Sequence, residues 1–314
     1  MRFDESVLDC TEKLIFSLRS LYGEYGYKRY KMSKFEEYAL YGRNIDFLVS
    51  DSVITFTDTD GKLMALKPDV TLSIVKNDRD DAETVTKVCY DESVYRVSKG
   101  TGTFREIKQA GLECIGKVDA ALVGETLMLA AKSLELSGKK FILEVSHLGL
   151  LDAALSLVTD DEGIKAKLFE CVGGKNIHGI KEICRGAGIP EGKEDALVTL
   201  VATYGSVSEV AGKLAGSFAE DGIKELREVL SVFDGTPWAD SVKVDFSVTA
   251  DSNYYNGIIF KGFAEGVPEG VLSGGQYDRL MKKMGRRSKA VGFAVYLDVL
   301  ERLLYGESFQ RGEE

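Results

Sequence analysis

Between Glu5 and Tyr25 the apolar residues Val7, Leu8, Leu14, Ile15, Leu18 and Leu21 recur in three- and four-residue steps. That spacing predicts an amphipathic helix, closed by Gly26. Short apolar runs at 47–49, 53–57 and 63–66 predict strands, and Asp58-Thr59-Asp60-Gly61 reads as the turn between the last two. Lys67-Pro68-Asp69-Val70-Thr71 then leads into a short helix over 72–77, with the proline at its entry and Asp69 or Thr71 as its cap. Two longer runs, 85–97 and 104–115, are rich in β-branched and aromatic residues and flank Lys99-Gly100-Thr101-Gly102-Thr103. They predict a long antiparallel hairpin. A helix over 119–137 and a strand over 140–145 follow.

From 148 to 236 the pattern turns helical, rich in Ala, Leu, Lys and Glu, with breaks at Gly173-Gly174, Gly186 and Gly188. Strand signals return at 242–248, 254–263 and 271–272, followed by a helix over 279–284 and a closing strand–helix unit over 291–305. Hairpins split by a helical stretch predict an α+β fold, an antiparallel sheet flanked by helices. We expect a discontinuous domain of residues 1–147 and 240–314 around a helical insertion, 148–239. The βαβ rhythm of a doubly wound sheet is missing. Gly100-Thr101-Gly102 meets Arg105 where a dinucleotide loop needs its third glycine, and there is no G-x-x-x-x-G-K-[ST].

Composition narrows the function. The chain has 314 residues, 44% hydrophobic and 29% charged, enough to bury a core. No apolar run approaches the ~18 residues that span a bilayer. The first ten residues carry Asp4, Glu5 and Asp9, unlike a signal peptide, so a cytoplasmic location is expected. The net charge of −10 repels phosphate backbones and makes nucleic acid a poor partner. Lys282, Lys283, Arg286, Arg287 and Lys289 are a local exception, either a solvated helix end and loop or an anion or partner contact. Five cysteines without a C-x-x-C read as reduced thiols. His147 and His178 are the two histidines, too few for a histidine metal cluster, and both read as structural or surface residues.

Four polar clusters mark strand ends and hairpins: Asp69 with Thr71; Arg96 and Arg105 with Gln109 and Glu113; Asn253-Tyr254-Tyr255-Asn256-Gly257; and Gln276-Tyr277-Asp278. Residues two or four apart on a strand share a face, so Arg105, Gln109 and Glu113 form one row, with Gly111 between as a place for a ligand to approach closely. Two readings stand. The row is a solvated outer face, or it holds a small zwitterion, with carboxylates for an ammonium, arginine for a carboxylate and tyrosine hydroxyls for a polar side chain. Such charge-assisted hydrogen bonds are worth ~1.5–3 kcal/mol each.

These clusters resemble the elements of histidyl-tRNA synthetases and their class II relatives. Leu66-Lys67-Pro68-Asp69-Val70-Thr71 is similar to an LRPE/D-x-T element. Val94-Tyr95-Arg96 through Phe104-Arg105 to Gln109-Ala110-Gly111-Leu112-Glu113 is similar to class II motif 2 with its Q-x-G-x-E signature. Tyr254-Tyr255-Asn256-Gly257, Ser273-Gly274-Gly275-Gln276-Tyr277-Asp278 and Val291-Gly292-Phe293-Ala294 resemble the tyrosine-pair strand, GGRYDxL and motif 3. Five elements in order cover about residues 5–305.

The departures set the expected function. The family's histidine-specific catalytic arginine falls on Ala250, and its ATP-clamping motif 3 arginine on Val299. The acidic residue after the motif 2 arginine falls on Ser98, and the motif 1 proline on Ser33. Losing one preorganised donor to a transition state costs about 2.7–4 kcal/mol, and losing two suggests a drop of ~10⁴ or more, although such effects do not simply add. The sequence stops at Glu314, soon after motif 3, so no anticodon-binding domain is expected.

A kept amino-acid pocket with a lost activation site resembles the synthetase-like regulatory subunits of ATP phosphoribosyltransferase. In that family the subunit joins a short-form catalytic subunit in a hetero-octamer, dimerises through the motif 1 region, and takes L-histidine as feedback effector. The resemblance implies a histidine pocket in which Asp69, Gln109 and Glu113, assisted by Thr71, hold the α-ammonium. Tyr254, Tyr255 and Glu113 would address the imidazole, Arg96 the carboxylate, and Tyr277 lines the pocket. It implies no catalysis, no cofactor and no metal. Two alternatives stay open: an amino-acid-activating synthetase paralogue, which Arg96 and Arg105 permit, and a stand-alone histidine sensor.

Overall fold

The first helix starts at a capping box, later than its apolar spacing predicts. Asp9 accepts from the Glu12 amide at 2.7 Å, and Glu12 accepts from the Asp9 amide at 3.0 Å. Two of the amides that a helix start leaves unpaired are thereby satisfied, and α1 runs Cys10–Glu24. The computed structural model describes residues 5–45, 48, 53–98, 101–249 and 254–311. The strand expected at 47–49 falls outside that set except for Leu48.

After α1 come β1 (Lys28–Arg29), β2 (Phe35–Glu37), α2 (Tyr38–Gly42), β3 (Thr55–Thr57), β4 (Leu63–Leu66) and α3 (Thr71–Asn77). The predicted hairpin is β5 (Val85–Val97) and β6 (Phe104–Gly116), paired in continuous register from Val85 opposite Gly116 to Val97 opposite Phe104. Then follow α4 (Ala120–Glu135), β7 (Phe141–His147), α5 (Leu148–Val158), α6 (Glu162–Gly173), α7 (Ile177–Gly186) and α8 (Asp195–Ala202). The chain continues through β8 (Tyr204–Gly205), α9 (Val207–Lys213), α10 (Glu220–Leu230), β9 (Val242–Asp245) and β10 (Asn256–Ala264). It closes with β11 (Leu272–Gln276), α11 (Asp278–Lys283), β12 (Lys289–Tyr296) and α12 (Leu297–Arg311).

The main sheet has the order β1-β5-β6-β12-β11-β10-β7-β9-β8. Its middle, from β5 to β7, is antiparallel, as predicted. Outside that stretch β1 joins β5 and β9 joins β7 in parallel, and β8 closes the far edge antiparallel to β9. The sheet is therefore mixed. A two-residue strand such as β1 or β8 is too short to carry a period in the sequence. β2, β4 and β3 form a separate small sheet.

The two faces of the main sheet differ. On one, α1 and α4 bury Leu14, Leu18, Leu127 and Leu129 against Leu112, Cys114 and Phe293. That apolar cluster continues into the helical stretch through Leu151, Leu168, Ile180, Leu197 and Leu226. On the other, a smaller and more aromatic cluster gathers Tyr41, Leu72, Val75, Tyr90, Val94, Tyr254 and Tyr277. His147 is structural. Its Nδ1 accepts from the Leu150 amide at 3.2 Å, so the proton of the neutral ring sits on Nε2, which faces Glu225 at 3.1 Å. The basic cluster is partly a tie between elements: Arg286 donates to the Lys76 carbonyl, and the Arg287 and Ser288 amides donate to Asp80.

Candidate functional site

The aromatic face of the sheet encloses a cavity of about 230 Å³. That is far larger than a packing void and just below the ~300 Å³ at which pockets for drug-sized ligands begin. It has room for a small metabolite. All eight residues that the family resemblance assigns to a pocket line it: Asp69, Thr71, Arg96, Gln109, Glu113, Tyr254, Tyr255 and Tyr277.

Each wall follows from local structure. Gln109 and Glu113 stand four apart on β6 and point to one side, both buried. Arg96 of β5 shares that side, and its Nε donates to the Pro68 carbonyl at 3.0 Å. Asp69 accepts from the Leu72 amide at 2.9 Å, which satisfies one amide at the start of α3 and brings Thr71 to the cavity. Tyr254 and Tyr255 precede β10 and pack with ring centroids 4.5 Å apart; Tyr277, between β11 and α11, lies 5.8 Å from Tyr254. The turn after the tyrosine pair is pinned by Gln276, whose Oε1 accepts from the Ile258 amide at 2.7 Å.

Glu113 is the centre of the site. Its Oε1 accepts from Thr71 Oγ1 and its Oε2 from the Tyr277 hydroxyl, each at 2.7 Å. Burial pushes its carboxyl from 4.5 up to about 8, against the pull of those two donors, and Asp69 pushes the same way. Desolvation outweighs hydrogen bonding here. Burial also raises Asp69, although the Leu72 amide and the Arg96 guanidinium oppose it. The phenols of Tyr254, Tyr255 and Tyr277 are held well above their usual range, mainly by burial. The cavity thus presents two reluctant acids and neutral hydroxyls, with one guanidinium at its wall. A ligand ammonium would relieve the cost of ionising Glu113 or Asp69.

Two glycines correct the sequence reading. Gly111 does not admit a ligand: a Cβ there would lie 2.6 Å from the Tyr90 hydroxyl and 2.2 Å from the Phe293 carbonyl oxygen. Its bare backbone makes room for the Tyr90 ring. Gly292 of β12 has the more direct role, since a Cβ there would sit 1.8 Å from Glu113 Oε2. Arg105 shares the face of Gln109 and Glu113 but is exposed near the far end of β6 and does not line the cavity. The period of a strand gives the face and not the depth. Sequence reasoning also missed Tyr90, Ser273 and Tyr296, all in the lining. Ser273 and Tyr296 share a 2.6 Å hydrogen bond across the β11–β12 pair. The signal for Tyr90 was available, because a large residue opposite a strand glycine fills the space the glycine leaves.

A family profile for histidyl-tRNA synthetase matches residues 6–300. The chain belongs to the histidyl-tRNA synthetase family. The ATP phosphoribosyltransferase regulatory subunit of Caldanaerobacter subterraneus subsp. tengcongensis is 30% identical over 304 residues, across 92% of this chain and 78% of its own. That of Alkaliphilus metalliredigens is 28% identical over 291 residues, across 89% and 73%. Within the family the chain therefore sits with these regulatory subunits. Among solved structures, an ATP phosphoribosyltransferase regulatory subunit/histidyl-tRNA synthetase from Bacillus halodurans superposes with a TM-score of 0.81 at 23% identity, covering 96% of this chain and 85% of that one. The HisG:HisZ ATP phosphoribosyl transferase complex from Thermotoga maritima gives 0.73 at 20%, covering 94% and 98%. The fold is that of the class II synthetases. Val299, where the family resemblance places an ATP-clamping arginine, packs against the apolar cluster. Ala250 and Asn253 lie outside the described residues.

Proposed function

We propose that this chain is a non-catalytic regulatory subunit of ATP phosphoribosyltransferase and that the cavity is its L-histidine sensor. Relatives bearing that name over about nine-tenths of the chain support the role. The convergence of two buried carboxyls, one guanidinium and the tyrosine wall on one small cavity carries the sensor assignment. In this reading Asp69, Gln109 and Glu113 receive the α-ammonium, with Thr71 holding Glu113 in place. Tyr254, Tyr255 and Glu113 face the imidazole, and Arg96 meets the carboxylate. Tyr277 acts through Glu113. A valine at the ATP clamp position leaves recognition without activation.

The short-form catalytic subunit is the partner, and two copies of this chain pair within a cytoplasmic hetero-octamer. Feedback then requires histidine to bind one quaternary state better than another, by a coupling of about 1–3 kcal/mol. Reconstitution tests the role. Added to a short catalytic subunit that is inactive alone, the chain should restore phosphoribosyl transfer, and histidine should suppress it. Failure to restore activity, or histidine-dependent exchange of pyrophosphate into ATP by this chain alone, would overturn the proposal.

A further inference from the structure

The segment that carries the tyrosine wall is gripped from outside the sheet. β9 ends at Asp245, which is 1% exposed. Its Oδ1 accepts from the amide and hydroxyl of Ser247, at 2.8 and 2.7 Å. Its Oδ2 accepts from Lys175 Nζ at 2.6 Å. Lys175 follows α6, and its backbone is left-handed, with φ at +50°. That conformation is unfavourable for a lysine and is the one glycine takes at helix ends. A strained residue persists where its surroundings require it. Here its ammonium neutralises a buried carboxylate and lies 5.3 Å from the centre of the Tyr204 ring.

The grip extends along the chain. A Cβ on Gly173, the last residue of α6, would meet Thr249 Oγ1 at 2.7 Å, so the end of that helix rests on the segment leading to Tyr254. Just beyond the tyrosine pair, Asn256 and Gly257 border a second cavity of about 450 Å³ whose opposite wall is α5 and α6. The helices thus meet this segment on both sides of the wall, by direct contact before it and across a cavity after it.

We propose that Lys175 is a positioning residue for the sensor, and that the helices after β7 set the placement of Tyr254 and Tyr255 through the Lys175–Asp245 contact. The inference rests on the histidine reading for its ligand and not for its geometry. It makes the helical stretch the element whose displacement alters the cavity.

The test uses the full chain and the variants Lys175→Gly and Lys175→Arg. Glycine suits the left-handed backbone, so Lys175→Gly removes the ammonium without adding backbone strain; it leaves the buried Asp245 carboxylate unpaired and should lower Tm, so binding and exchange are read well below both transitions, with Lys175→Arg recovering Tm. We expect its histidine Kd, by calorimetry, to rise five- to tenfold, and Lys175→Arg to restore most of the affinity. In the unliganded protein, amide exchange at 254–259 should quicken in Lys175→Gly and recover in Lys175→Arg. Unchanged exchange at 254–259 in Lys175→Gly would overturn the inference whether or not histidine binds. So would an unchanged Kd where the wild type binds. Absence of histidine binding by the wild type would count against the functional reading alone and leave exchange to decide this one.

Discussion

Glu113→Gln should make the protein more stable and blind to its ligand. Unfolded, this carboxyl titrates near 4.5; folded, near about 8. A side chain only 3% exposed justifies reading the difference as free energy. At 1.36 kcal/mol per pKa unit, folding at pH 7 with uptake of a proton costs about 3 kcal/mol, rising to about 4–5 kcal/mol above pH 8. The sign follows from the raised folded pKa. The group's contribution is fully favourable below 4.5 and is lost as pH rises through about 8. Glutamine keeps a carbonyl and an amide for the Thr71 and Tyr277 hydroxyls and has nothing to ionise. We expect Glu113→Gln to gain about 1–3 kcal/mol over wild type at pH 8, after allowance for poorer hydrogen-bond geometry. Urea unfolding of both proteins from pH 5 to pH 9 checks this, because other titrating groups cancel in the difference. The gain should grow with pH and vanish near pH 5. A difference flat across that range would refute the claim that burial holds Glu113 protonated.

Three further outcomes follow from the same contacts. Tyr277→Phe removes one donor to Glu113; it should raise the Glu113 pKa further in a carboxyl-carbon NMR titration and cost about 1 kcal/mol in unfolding. Gly292→Ala drives a methyl into the Glu113 carboxylate; we expect a loss of about 1–3 kcal/mol and at least tenfold weaker histidine binding by calorimetry. The Lys67–Glu92 ion pair is asymmetric, with side chains 1% and 18% exposed. Glu92→Gln strands a buried ammonium and should cost about 3–5 kcal/mol, whereas Lys67→Met leaves a carboxylate that water still reaches and should cost less; chemical denaturation ranks the two.

Much of this site could be read before the fold was known, and the misses have physical causes. The β5–β6 hairpin was legible because two long runs rich in β-branched and aromatic residues flank a glycine-containing loop. The parallel pairing of β1 was not, since β1 has two residues and no period. Gln109 and Glu113 were placed correctly by parity. Arg105 shares that parity yet sits in solvent, because distance along a strand from the cavity is set by tertiary packing. Gly111 was given to a ligand when it belongs to Tyr90, which the hairpin register sets directly opposite it. Lys175 carried no sequence signal, for its left-handed backbone and its buried partner seventy residues away both come from the fold.

Titrating the full chain with L-histidine at pH 7, in two buffers of different ionisation enthalpy, tests the sensor most directly. An ammonium seated against Glu113 draws its pKa down, so binding should release close to one proton at this pH, with affinity falling as pH drops below about 8. Glu113→Gln should abolish both heat and proton release. Histidine that fails to bind, or that binds without releasing a proton and equally well to Glu113→Gln, would contradict the account.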